Sequence, residues 1–284
     1  MNLFGKSARV GIFALACAAV FCSQPTSAQV FADVSTTAPQ PKDAEKDKDK
    51  DKDKEAATND GWHFAVSPYM WFAGIHGNVG VLGHEASVHA DFSDIFNYLN
   101  IGAMGVFDAR YKRVILPVDF LWMKLSDDRS LPVNDIAQSI KAKMTETMLS
   151  PKIGYRIADG KRVKVDALFG IRYWHVSTDF TLEPVQIAGG ISQSKNWVDA
   201  VAGGRIEIAL TPKAFALIGG DAGGGSARSD YQVAGGLGYK ISRKWVLLGG
   251  YRYLSVNYRP NGRPLFVYDV SMPGLVIGAT YNFK

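Results

Sequence analysis

His175, Ser177 and Asp179 occupy alternate positions of one short segment, so their side chains share one face if the segment is a β-strand. In such a set a serine hydroxyl can be the nucleophile, an imidazole the general base, and a carboxylate the group that orients the imidazole. Two residues and one acid are a weak pattern. The sequence therefore predicts no catalytic residues and a non-enzyme, with a hydrolase that uses this His-x-Ser pair as the alternative.

A second group of residues could bind a metal. His76, His84 and His89 lie close to Glu85 and Asp91 in the sequence, and imidazole and carboxylate groups are ligands of transition metals. Their spacing does not place them on one face of a single element, so the sequence predicts no metal site. The Gly-rich stretches lack the Lys-Ser/Thr pair and the helix of a phosphate loop, and the sequence predicts no cofactor.

The elements that carry these residues are long alternating segments. In the segment from Val163 to Trp174, apolar residues hold one face and Lys164, Asp166 and Arg172 hold the other. The segments are about 10 to 18 residues long, whereas strands of soluble proteins have about five or six. A tilted strand needs about 9 to 11 residues to cross a membrane, and a sheet in lipid has to close on itself. The pattern favours an all-β, closed antiparallel transmembrane β-barrel.

Connections of alternating length give the strand number. Short turns near Lys112, Gly160, Pro212 and Arg243 alternate with longer loops, as in outer-membrane barrels with short periplasmic turns. The expected strands are about ten in number, near 62–75, 99–112, 113–125, 139–157, 161–178, 195–211, 213–222, 230–242, 244–258 and 265–283. Residues 77–99 are expected to form an external hairpin, 79–82 with 86–92, and a short helix over 93–99 capped by Ser93. A hairpin that crossed the membrane would raise the number to twelve.

The charged faces of these strands should meet in the lumen. Six basic and seven acidic residues are expected to line it. They either pair as a network that fills the barrel or line a narrow path for small solutes. The candidate lumen residues are Asp108, Arg110, Asp119, Glu146, Lys152, Arg156, Asp166, Arg172, Asp199, Arg205, Glu207, Arg252 and Asp269. Aromatic residues near the strand ends are expected to form interfacial girdles, namely Trp62, Tyr69, Trp71, Trp122, Tyr155, Tyr173, Trp174, Trp245, Tyr251, Tyr253, Tyr258 and Tyr281.

The first 28 residues have the features of a secretory signal peptide. Lys6 and Arg9 precede an apolar segment, and Thr26-Ser27-Ala28 supplies small residues before a cleavage site. Both cysteines, Cys17 and Cys22, lie in this segment, so the mature chain is expected to form no disulfide. Residues 29–60 include the Lys/Asp tract of 42–56, too polar to fold, and are expected to be a disordered periplasmic linker. The barrel is expected to be 61–284.

Several segments carry a family resemblance. They are SPYMWFAGIHGNVGV from Ser67, DFSDIFNYLNIGAMGVFDARY from Asp91, ALFGIRYW from Ala167, NWVDAVAGGR from Asn196, GGDAGGG from Gly219 and LGYKISRKWVLLGGYRYLSVNY from Leu237. These resemble a family of Gram-negative outer-membrane β-barrel proteins akin to the small OmpA/OmpW-type barrels. The resemblance implies the fold and the location and no substrate. The C-terminal Tyr-Asn-Phe is similar to the signal read by the barrel-insertion machinery, although Lys284 follows it, and the His-x-Ser pair resembles that of outer-membrane lipid A deacylases.

Charge and location together bound the function. Without Lys6 and Arg9, 30 of the 32 basic residues remain against 27 acidic ones, a near balance that does not favour nucleic acid. The expected partners are outer-membrane lipid, lipopolysaccharide, the insertion machinery and small solutes. The sequence predicts a non-enzymatic, integral outer-membrane barrel, either a narrow channel or a structural and surface-interaction protein, with a lipid hydrolase as the alternative.

Overall fold

A computed structural model describes residues 61–81, 83–130, 139–183, 190–262 and 265–283. The predicted signal peptide and linker lie outside these residues. Within them, no helix has the length and apolar character needed to cross a membrane.

The described chain consists of twelve strands and one short helix. Their bounds are β1 Trp62–Ala73, β2 Ile75–Val81, β3 His84–Ala90, α1 Phe92–Tyr98, β4 Leu99–Tyr111, β5 Val114–Ser130, β6 Ser139–Asp159, β7 Val163–Glu183, β8 Gly190–Ala209, β9 Ala214–Gly225, β10 Ser229–Lys240, β11 Trp245–Tyr258 and β12 Phe266–Asn282.

Ten of the strands close into a ring. β4 to β12 pair antiparallel in chain order, and β1 pairs with both β4 and β12, from Ala65 opposite Asn282 to Ala73 opposite Gly274. The predicted closed antiparallel barrel of ten strands is confirmed, and the alternative of twelve is wrong. We call the end that carries the short β4–β5, β6–β7, β8–β9 and β10–β11 connections the turn end, and the opposite end the loop end.

Strands β2 and β3 form a hairpin that lies outside the ring at the loop end. β2 pairs with the first residues of β12, from Phe266 opposite Val81 to Ser271 opposite His76. A side chain at Gly77 would place its Cβ 2.1 Å from the carbonyl oxygen of Asp269, and the φ of Gly77 is 148°, so only glycine fits where β2 crosses β12. The observed arms are Ile75–Val81 and His84–Ala90. Both differ from the expected arms 79–82 and 86–92.

Helix α1 follows the hairpin. It begins at Phe92, and Asp91 is its N-cap residue, whereas the sequence predicted Ser93. The Asp94 carboxylate accepts a hydrogen bond of 3.2 Å from the backbone N–H of Asp91. The buried Ile95 and an edge-to-face contact of 4.8 Å between the Phe92 and Phe72 rings pack the helix against the rim of the barrel.

Alternation along the ring strands produces an apolar outer surface. On β11, Trp245, Leu247 and Tyr251 point outward and are about half exposed, while Arg252 and Leu254, at the alternate positions of the same strand, point inward and are buried. Every second residue of a strand faces the same side, so the sequence pattern itself sets the two surfaces.

The aromatic residues divide between these surfaces. Trp62, Tyr155, Trp245 and Tyr281 lie on the outside near the turn end, as the girdle prediction requires. Other members of the predicted girdle point into the lumen, so that part of the prediction is wrong. These are Tyr69, Trp71, Trp174 and Tyr258.

Candidate functional site: the filled lumen

The guanidinium of Arg172 is the centre of an ion-pair network in the lumen. Its side chain is 0% exposed and donates hydrogen bonds to Asp230 on β10 and, at 2.5 Å, to Asp221 on β9. The indole N–H of Trp174 donates to Asp230 at 2.8 Å, and Lys152 on β6 donates to Asp221 at 2.6 Å. Buried charges persist when they are paired, and these contacts join four strands across the lumen.

Arg252 on β11 extends this network to the other side of the barrel. Its guanidinium donates to Gln232 at 2.6 Å, to Asp119 at 2.8 Å and to the Tyr69 hydroxyl at 2.9 Å. The Tyr69 hydroxyl in turn donates to Asp119 at 2.8 Å, and the Gln232 amide donates to Asp221 at 2.6 Å. Because Asp221 also binds Arg172, the two arginines belong to one network, which we call the central network.

A second group of ion pairs lies nearer the turn end. Asp166 accepts from Arg156 and from Arg205, each at 2.8 Å, and Arg205 also donates to Asp108 at 2.9 Å. Toward the rim, Lys164 and Glu207 pair at 2.9 Å, and both are about one-third exposed. The ion pairs are therefore more exposed to solvent toward the turn end. Solvent weakens the attraction between the charges, so each pair there contributes less to stability.

Apolar side chains fill the lumen at the loop end. Trp197 stacks on Tyr258 at 4.4 Å between ring centroids and lies 5.8 Å from Trp174 and 5.9 Å from Tyr268. We call these four residues together with Phe266 the aromatic plug. All five are buried. Further fully buried apolar residues pack against the plug, namely Met148, Val176, Leu254, Val256 and Met272.

A cavity of about 580 Å³ lies between the central network and the turn end. Lys152, Asp221 and Arg252 line it on the side of the central network, and Lys240 and Asn282 line it near the turn end. Side chains such as Leu217, Leu248 and Val276 make part of its wall apolar. The lumen therefore holds space on one side of the central network, and the aromatic plug fills the other side.

Most of the predicted lumen residues meet in these networks. Three of them form no ion pair within the described chain, and one of these, Arg110, lines the cavity. Asp199 accepts a hydrogen bond of 2.7 Å from the backbone N–H of Ala227 and so fixes the β9–β10 turn. Glu146, 1% exposed, lies beside the hydroxyl of Tyr268. The predicted residues that pair or line the cavity are Asp108, Arg110, Asp119, Lys152, Arg156, Asp166, Arg172, Arg205, Glu207 and Arg252.

Asp269 departs from the expected lumen position. Its neighbours Tyr268 and Val270 are buried inside, so Asp269 takes the opposite face of β12. It lies 3.8 Å from Arg259 in the β11–β12 loop, which also holds Glu85 of β3 through two hydrogen bonds of 2.7 and 3.0 Å. The hydrogen-bonded Glu85 carboxylate raises the pKa of the Arg259 guanidinium above its usual value.

Sequence analysis missed three residues of the central network. Asp221 lies in a Gly-rich segment, and Asp230 is the first residue of the expected strand 230–242, next to the β9–β10 connection of residues 226–228. The signal was present, because Asp230 and Gln232 alternate with the outward-facing Tyr231 and Val233.

The His175, Ser177 and Asp179 set lies on the outer face near the loop end. Strand pairing places His175 opposite Asn196 and Asp179 opposite Ser192. His175 Nδ1 lies 2.6 Å from the Asn196 side-chain oxygen, and Asp179 accepts a hydrogen bond from Ser192. The acid thus binds a serine of β8 and does not orient the imidazole, as a catalytic triad would require.

The ring and its two surfaces define a ten-stranded antiparallel β-barrel with a filled lumen. No protein-family model and no curated protein matches the sequence. Similar solved structures include the translocator domain of the autotransporter NalP from Neisseria meningitidis, with 14% identity over 80% of this chain and 91% of that chain and a TM-score of 0.43. The outer membrane protease OmpT from Escherichia coli has 9% identity over 80% and 98% and a TM-score of 0.42. Ail, the attachment invasion locus protein of Yersinia pestis, has 14% identity over 79% and 99% and a TM-score of 0.34.

Proposed function

We propose that the chain is an integral outer-membrane β-barrel of a Gram-negative bacterium, with the turn end in the periplasm and the loop end outside the cell. The outer surface supports this location. Tyr231 and Tyr239 lie on the outside of β10, eight residues apart, with Val233 and Leu237 exposed between them. Eight residues span about 27 Å along a strand, or about 20 Å after a tilt of 35–45°, close to the apolar band of about 25 Å in such barrels.

We further propose that the barrel is a non-conducting, non-enzymatic, structural and surface-interaction protein. The observation that carries this proposal is the burial of the lumen at the loop end, where Arg172, Trp174 and Tyr268 are each 0% exposed. A water-filled path would leave such side chains in contact with solvent. The narrow channel, the other interpretation of the sequence, would require the aromatic plug to leave the lumen.

The proposed partners follow from the two ends and the outer surface. The outward Leu237 and Ile277 would contact lipid acyl chains, and lipopolysaccharide would cover the outer leaflet around the loop end. We propose that the insertion machinery reads β12, the strand that closes the ring against β1. Small solutes from the periplasm would reach only the cavity.

Single-channel recording in planar bilayers tests this function. The protein purified from outer membranes is first checked for heat-modifiable gel mobility, which reports a folded barrel. We expect folded protein to give no conductance steps, because the buried aromatic plug would block an aqueous path at the loop end. Steady, ion-selective steps from the unaltered protein would refute the proposal.

A matched variant shows that the recording would detect a channel. Trp174→Ala combined with Tyr268→Ala removes two large side chains of the aromatic plug and leaves the outer surface unchanged. We expect this variant to give conductance steps. If the variant folds and stays silent, the plug is not the barrier and this account of the lumen is wrong. The control Tyr251→Ala truncates an outward aromatic residue and should remain silent.

A further inference from the structure

Two histidines and one aspartate meet where the hairpin leaves the rim of the barrel. His76 on β2 and His89 on β3 are directly paired across the hairpin. Their imidazole rings stack with centroids 4.2 Å apart and planes 15° apart. Asp91, at the start of α1, places a carboxylate oxygen 3.6 Å from Nε2 of His76. One ligand atom from each of the three residues lies within 4.8 Å of the others.

Hydrogen bonding does not explain this arrangement. A separation of 3.6 Å is too long for a hydrogen bond, and Nε2 of His76 is shielded from solvent without a hydrogen-bond partner in the described chain. Two ligands on a tetrahedral metal with bonds of 2.0–2.1 Å are about 3.3 Å apart. The distance from His76 to Asp91 is therefore close to that of two ligands on one ion.

We propose that His76, His89 and Asp91 bind one divalent transition-metal ion of the zinc class. Two imidazole nitrogens and one carboxylate oxygen suit Zn²⁺, Ni²⁺ or Cu²⁺, whereas Mg²⁺ and Ca²⁺ prefer oxygen ligands alone. Three protein ligands leave a coordination position for water or for an external ligand. Such an ion would fasten both arms of the hairpin to the start of the helix.

The local fold holds the ligands in place without the ion. The β2–β3 pairing fixes His76 opposite His89, and the Asp94 carboxylate holds the backbone of Asp91. Gly74 provides the space, since a Cβ there would lie 3.2 Å from Nε2 of His76 and 3.6 Å from Cα of Asp91. The two imidazole planes are nearly parallel, so their side chains would rotate out of the stack to converge on an ion.

The site is reached from solvent and not through the lumen. The side chain of Asp91 is 71% exposed and that of His76 is 33% exposed, and the hairpin lies outside the ring. Metal binding is thus separate from conduction, and its failure would leave the proposed function of the barrel intact. Because a metal binds the neutral imidazole, affinity should fall as the pH is lowered.

Zinc competition with a chromophoric chelator tests the proposal. The protein is purified from outer membranes in detergent without a polyhistidine tag, and its folding is verified by heat-modifiable mobility. We expect one Zn²⁺ per chain, and a loss of affinity of more than about tenfold in each of His76→Ala, His89→Ala and Asp91→Asn. A Co²⁺ absorption spectrum that disappears in the same variants would give independent evidence of direct ligation.

Two matched variants make the test specific. His89→Phe keeps an aromatic ring for stacking and removes the ligand, so it should lose zinc even if the hairpin is undisturbed. His175→Ala removes another outward histidine at the loop end and should bind zinc as the unaltered protein does. The Lys/Asp tract of 42–56 is present in every variant, so weak binding there cancels in the comparison. Unchanged zinc affinity in folded His76→Ala and His89→Phe would overturn the proposal, as would equal loss in His175→Ala.

Discussion

Replacing Arg172 with methionine should strongly destabilise the barrel. The substitution keeps much of the side-chain length and removes the charge that binds Asp221 and Asp230. Asp221 retains Lys152 and Gln232, but Asp230 retains only the indole N–H of Trp174 in the described chain. Removing one partner of a buried ion pair costs about 3–5 kcal/mol, and Asp230 should account for most of that cost.

Equilibrium unfolding in urea, in vesicles or detergent, measures this effect. We expect the free energy of unfolding of Arg172→Met to fall by about 3–5 kcal/mol. Adding Asp230→Asn should recover most of the loss, because it neutralises the carboxylate that the first substitution left unpaired. The rim pair offers a matched control. Lys164→Met removes one partner of a pair that is about one-third exposed and should change the free energy by less than about 1 kcal/mol.

Two results would refute this reasoning. A loss of less than about 1 kcal/mol in Arg172→Met would mean that water reaches the carboxylates and that the lumen is not packed as described. No recovery on adding Asp230→Asn would mean that the cost arises from lost packing around the arginine and not from the unpaired charge.

Three further perturbations test the outer surface, the β9–β10 turn and the hairpin. Ile277→Arg, at an outward position 59% exposed, should weaken insertion into vesicles by about 2–4 kcal/mol. The control Ser194→Arg, at an outward position nearer the loop end, should insert normally. Equal insertion of the two variants would contradict a lipid-facing apolar band. Asp199→Ala leaves the buried N–H of Ala227 without its acceptor and should lower the free energy of unfolding by about 1–3 kcal/mol. The amide of Ala227 should exchange hydrogen faster in this variant. Unchanged exchange at Ala227 would contradict the hydrogen bond. Gly77→Ala should separate β2 from β12, since its Cβ would lie 2.1 Å from a carbonyl oxygen. Backbone amides of β2 should then exchange hydrogen faster, while those of β7 stay protected. Continued protection of the β2 amides would contradict the close approach.

The ten ring strands could be predicted because alternation in a strand is local. An inward Arg172 and an outward Ile171 are fixed by their positions in one segment. The partner of Arg172 could not be read in this way. Asp221 and Asp230 come to it from β9 and β10, and which side chains meet across a lumen depends on the stagger of strands that are far apart in the chain.

The histidine cluster was missed for a related reason. Hairpin register is set by the position of the turn. The expected arms, 79–82 and 86–92, put His84 in the turn and leave His76 unpaired. In the structure Val81 lies opposite His84, so the turn is shorter and its centre lies earlier than the expected arms would place it, and this difference brings His76 opposite His89. Gly83, at a φ of 81°, was the available signal for that turn.

Closure of the ring by its first and last strands constrains the order of assembly. Ala65 pairs with Asn282, a contact between residues near opposite ends of the described sequence, and such distant contacts are slow to form because a long loop must be closed. Until β12 has been made and aligned, β1 and β11 each present an unpaired edge that can join a strand of another chain. A nascent or truncated chain that lacks β12 is therefore the species most prone to aggregate.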